Sequence, residues 1–165
     1  MLLFCIFTVL GLKNLINLYP LWLLMHVKDV LKDWALNYVK NRDLVHNLIK
    51  EIVQDSGFDF IVHRMDGSLF FLVIPELSDV NEIVDKAGGK RLNVVVLNTK
   101  ENLDFLVKHW KSLIKFPDLC FYFVNPKSSD EQKWIVYPRS HDLIIDSKHL
   151  KKSLNVLFSA VPVYK

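Results

Sequence analysis

Between residues 27 and 53 apolar side chains recur at intervals of three and four: Val27, Val30, Leu31, Trp34 and Tyr38, then Val45, Leu48, Ile49, Ile52 and Val53. That spacing predicts one amphipathic helix, or two parted at Asn41-Arg42-Asp43, ending at Ser56-Gly57. The pattern then changes. FDFIVHR and LFFLVIPE, rich in aromatic and β-branched residues, flank Met65-Asp66-Gly67-Ser68, which predicts a β-hairpin turning at Asp-Gly. A brief helix is expected around residues 80–86, stopped by Gly88-Gly89.

RLNVVVLN and LCFYFVNP read as fully buried strands, because four to eight apolar residues stand between turn signals. Between them Leu103, Leu106, Val107, Trp110, Leu113 and Ile114 form one helical stripe, closed by Pro117-Asp118. Strand, helix, strand at these lengths predicts a βαβ crossover and two parallel strands. KWIVYP follows as an edge strand, and Leu150, Leu154, Leu157, Phe158 and Val161 give a closing helix. The expectation is one α/β domain over residues 25–165, a single mixed sheet in the order α-β-β-(α)-β-α-β-β-α with one βαβ crossover.

Residues 1–24 differ in kind, being apolar almost throughout with one charge at Lys13. Three readings stay open: a membrane segment tethering an accessory protein, a translation start at Met25, or an unusual packed helix. A signal peptide fits poorly, lacking the basic start and the small-x-small cleavage site. A net charge of +3 permits nucleic-acid contact without arguing for it. With only Cys5 and Cys120, no disulfide framework is available. Cys120 is expected as a buried free thiol in a cytoplasmic protein.

Candidate chemistry gathers at strand ends. Asn98-Thr99-Lys100 closes one buried strand, and Asn125 and Lys127 close its neighbour. Asn98 is expected to cap the following helix, with Glu101 three residues on completing a capping box. Asn98, Thr99, Asn125 and Lys127 also stand where open parallel sheets bind ligands. Lys108 and Lys111 lie on the polar side of the Trp110 helix. There they suit either a solvated face, with Asp104 pairing Lys108, or phosphate contacts. Gly88-Gly89-Lys90 precedes a strand and lacks the Lys-Ser/Thr of a phosphate loop, so nucleotide hydrolysis by that route is excluded. The six histidines show no metal-site spacing.

The order helix, hairpin, strand, helix, strand, strand resembles the core of the PD-(D/E)XK, or restriction-endonuclease-like, nuclease superfamily. FDFIVHRMDGSLFFLVIPE is similar to that family's acid-led strand, turn and apolar strand ending in acid-x-Lys. The resemblance implies metal-assisted phosphodiester hydrolysis, with Asp59 and Glu76 on Mg²⁺ and Lys100 positioning the attacking water. The signature is incomplete. Ile74-Pro75-Glu76 stands where acid-x-Lys belongs, and a second register through Asn98-Thr99-Lys100 keeps the Lys but has an amide for the acid. The sequence therefore leads to a binding module for nucleic acid or a protein partner, degenerate for catalysis. An active Mg²⁺-dependent nuclease is its rival.

Overall fold

The computed structural model describes residues 18–128, 132–146 and 148–165, with side chains from residue 26 onward. The expectations for residues 1–24 fall for the most part outside these. Among the described residues no helix is long and apolar enough to cross a membrane.

The chain forms one six-stranded mixed sheet clothed by helices, as the α/β reading requires. Helix α1 (Leu18–Asp43) leads into strands β1 (Ile49–Val53), β2 (Phe60–Arg64) and β3 (Gly67–Val73). Helix α2 (Val80–Ala87) connects to β4 (Arg91–Leu97), and α3 (Lys100–Lys108) with α4 (Trp110–Leu113) connects to β5 (Leu119–Val124). Strand β6 (Lys133–Val136) and helices α5 (Pro138–Ile144) and α6 (Leu150–Ser159) complete the order. The strands lie in the sheet in the order in which they occur in the chain. β1–β2, β2–β3 and β5–β6 are antiparallel, whereas β3–β4 and β4–β5 are parallel.

Several expected elements stand. The hairpin turns at Asp66 with Arg64 opposite Gly67, whose φ of 122° is open to glycine and strained for other residues. β4 and β5 run side by side through the Trp110 helix, and β6 is an edge.

Other expectations are corrected. The second half of the predicted first helix is β1. Asp43 ends α1 by accepting the Leu48 and Ile49 amides on its two oxygens, each at 2.9 Å, and Asn47 turns through a φ of 48°. A carboxylate that binds backbone amides downstream offers the chain an alternative to the helix ladder. There are two parallel crossovers instead of one, because α2 also joins parallel strands. The Trp110 helix breaks at His109, and α5 occupies a segment for which no helix was expected.

Alternation along the central strands feeds two cores. Leu92, Val94 and Val96 of β4, with Phe121 and Phe123 of β5, face Ile83, Leu103, Leu106, Trp110 and Leu154 of the helices on one side. Val95, Leu97, Cys120 and Tyr122 face Leu31, Ala35 and Val39 of α1 on the other. A strand buried on both faces is apolar on both, which is why residues 94–97 of β4 and all of β5 read as hydrophobic runs, while the buried Asn93 of β4 is satisfied by the Phe70 and Arg91 carbonyls.

Candidate functional site

At the C-terminal ends of β4 and β5 the predicted polar edge forms, and the chain itself closes it. Asn98 is fully buried and is not the helix cap. Its Nδ2 donates to the carbonyl of Val161 at 2.8 Å, with Phe158 and Pro162 carbonyls at 3.3 and 3.4 Å. Its Oδ1 accepts the Trp134 indole N–H at 2.7 Å. The cap is Thr99, whose Oγ1 accepts the Asn102 amide. The capping signal is thus shifted by one residue, because Asn98 is committed to the tail.

Asn125 donates to Pro162 and Val163 carbonyls and accepts the Lys127 amide on Oδ1. The Lys127 ammonium lies 4.4 Å from the Tyr164 ring centroid and donates to the Lys165 carbonyl. Asn98, Asn125 and Lys127 therefore converge as the sequence suggested, but on residues 158–165. Sequence reasoning missed Asn102, also buried, which accepts the Leu77 amide and donates to Pro75 and Leu97 carbonyls. The other predicted cations stay apart. Lys100 pairs with Asp104 at 2.8 Å, holding that carboxyl below its usual range and taking the acid expected for Lys108. Lys108 and Lys111 are exposed.

Asp59 opens β2 beside the end of β3, in a cleft of about 320 Å³ that includes Lys28, Lys32, Phe58, Glu82 and Lys86. Its Oδ1 lies 2.8 Å from the Lys28 ammonium and its Oδ2 accepts the Val73 amide at 2.7 Å. Glu76 is exposed beyond β3 and does not line this cleft. Among the described residues no group of three or more His, Cys, Asp or Glu side chains is placed to hold a metal ion. Glu76 and Lys100 thus lie outside the lining of the cleft that holds Asp59, and Lys28 is paired with one of the Asp59 oxygens. The cleft sets Lys28, Lys32 and Lys86 against Asp55, Asp59 and Glu82. Lys86 is 3.7 Å from Glu82, and Lys86 and Lys90 each lie 5.8 Å from the centroid of the half-buried Phe58 ring. Lys32 has no carboxylate partner among the described residues.

A second cleft, of about 560 Å³, lies at the opposite end of β4 and β5, under the C-terminal turn of α1. Arg42, Arg64 and Arg91 border it, with Tyr38, Tyr122 and Tyr137. Nothing in the linear sequence announced it, since its arginines come from α1, β2 and β4.

Comparison of the chain with known protein families, with curated proteins and with solved structures finds no match.

Proposed function

We propose that this chain is a nucleic-acid-binding module with a nuclease-like element order and a site degenerate for catalysis, gripping phosphates at the Asp59 cleft. The observation that carries the reading is the Lys28 ammonium seated on the Asp59 carboxylate. A carboxylate neutralised by lysine and bound to a backbone amide has little left to offer a divalent ion, while the lysines around it suit phosphodiester oxygens. Phe58 beside Lys86 and Lys90 adds an aromatic surface of the kind on which bases stack.

Fluorescence anisotropy with labelled single- and double-stranded oligonucleotides tests this. Contacts from Lys28, Lys32 and Lys86 predict that affinity falls about 20- to 40-fold between 50 and 200 mM salt, from the counterion slope for three phosphates. Lys32→Glu weakens binding more than Lys108→Glu or Lys111→Glu. Equal losses at all three would show a diffuse electrostatic attraction with no interface at the Asp59 cleft and remove the reading's support. Mg²⁺- or Mn²⁺-dependent cleavage, abolished by Asp59→Ala and by Glu76→Ala, would instead establish the active nuclease.

A further inference from the structure

We propose that the cleft beneath the end of α1 is a binding site for a terminal phosphate, that is, for a phosphomonoester, held by Arg42, Arg64 and Arg91. The proposal is independent of nucleic-acid binding at the Asp59 cleft.

Three elements of unrelated sequence position set these arginines around one cleft. Arg42 lies in the last turn of α1, Arg64 at the end of β2, and Arg91 at the start of β4. Each guanidinium carries five N–H donors in a planar fork that matches phosphate oxygens. Their partners within the protein are few. Asp66 serves two of them, with Oδ1 at 3.0 Å from Arg64 Nε and Oδ2 at 3.5 Å from Arg91 Nη1. Arg64 Nε is nonetheless buried without a properly directed hydrogen bond. Arg42 is held by the Tyr38 hydroxyl at 2.9 Å and pairs with no carboxylate among the described residues.

Two acids share the lining, Asp43 and Asp118, but among the described residues neither is ion-paired with an arginine. Asp43 has both oxygens on the Leu48 and Ile49 amides, and Asp118 is exposed on the turn into β5. The remaining wall mixes apolar residues, among them Leu48, Leu69 and Phe71, with polar ones. Cys120, Tyr122 and Tyr137 interact with one another there, and burial raises the pKa of all three groups, so at neutral pH they carry no charge to repel an anion. The volume, about 560 Å³, is that of a small-molecule site and far exceeds inorganic phosphate alone. A phosphate on the arginines would therefore leave room for an organic body against the tyrosine wall.

Calorimetric titration of the full chain with adenosine monophosphate, adenosine and inorganic phosphate tests the assignment. The monophosphate is expected to bind at least tenfold more tightly than the nucleoside, and inorganic phosphate to compete with it. Arg42→Gln, at an exposed turn, is expected to weaken the monophosphate at least tenfold with an unchanged far-UV circular dichroism spectrum. Arg42→Lys, which keeps the charge and loses the fork, falls between. Equal binding of nucleoside and monophosphate, or no heat up to about 10 mM ligand, well above a millimolar Kd, overturns the proposal. So does an Arg42→Gln protein that is folded and binds normally. A 5′-phosphorylated oligonucleotide compared with its 5′-hydroxyl form identifies the source. A phosphate-dependent gain there assigns the site to strand ends, and its absence beside mononucleotide binding assigns it to free phosphomonoesters.

Discussion

Asn98 reaches no solvent, yet every polar atom of its side chain is used: the amide nitrogen on tail carbonyls, the oxygen on Trp134. Replacing it strands both sets of partners in a dry interior, where each unsatisfied group costs about 1–3 kcal/mol. Asn98→Ala is expected to lower unfolding free energy in urea by about 2–5 kcal/mol. Thr99→Ala, which removes only a helix cap, costs about 1 kcal/mol. If the two were equal, the buried network would not matter to stability. Sequence alone could not rank these neighbours. Both residues are good caps, and only the position of the tail, some sixty residues later, decides between them. The same holds for Asp59. Its place at the head of a strand was legible, but its pairing with Lys28 depends on how α1 lies across the sheet.

Among the elements, strands with an unbroken apolar run were the most readable, because burial on both faces leaves a composition that no surface segment shares. Residues 44–53 were the least readable. Spacings of three and four at Val45, Leu48, Ile49, Ile52 and Val53 fit a helix, but an edge strand also tolerates them. Val45 is 85% exposed, and β1 alternates poorly. What separated the two was the local chemistry of Asp43. Along α1 the stripe is also turned from the one the apolar residues suggested. Leu31, Ala35 and Val39 are buried, while Val30 is exposed and Trp34 and Tyr38 lie at the margin. Leu31 is therefore the anchor of α1 on β3 and β4, and Leu31→Ala is expected to cost about 2–5 kcal/mol. Val30→Ala should cost under 1 kcal/mol. A comparable loss for both in denaturant titrations would mean that α1 packs through another face.

For the whole molecule, the two ends of the parallel strands have opposite fates. The end where α/β sheets usually take ligands is sealed by residues 158–165, and the large cleft opens at the other. Acid–base behaviour should report the interior behind that cleft. Burial pushes the Cys120 thiol from 9.0 up to about 12, and burial with Cys120 close by pushes Tyr137 from 10.0 up to about 12. Because the folded values are raised, the stabilising contribution is complete below pH 9, where both groups are protonated in either state. It is lost as pH climbs from about 9 to about 12, since the unfolded chain ionises first. Stability measured by urea titration should decline across that window, and Cys120→Ala should flatten the slope whatever it does to the absolute value. An unchanged slope would show that Cys120 does not ionise with unfolding.

The sheet has a further property. Each strand from β2 onward lies beside the one made just before it, with never more than one short crossover between partners. A chain emerging from the ribosome can therefore lay down its sheet one strand at a time, without waiting for distant sequence. The antiparallel neighbours can pair early, whereas the two parallel pairings, Leu69 with Arg91 and Leu92 with Leu119, must wait for their crossovers and form more slowly. The segment that Asn98 and Asn125 clasp follows all six strands in the chain, so closure of the strand ends comes after the sheet is laid down.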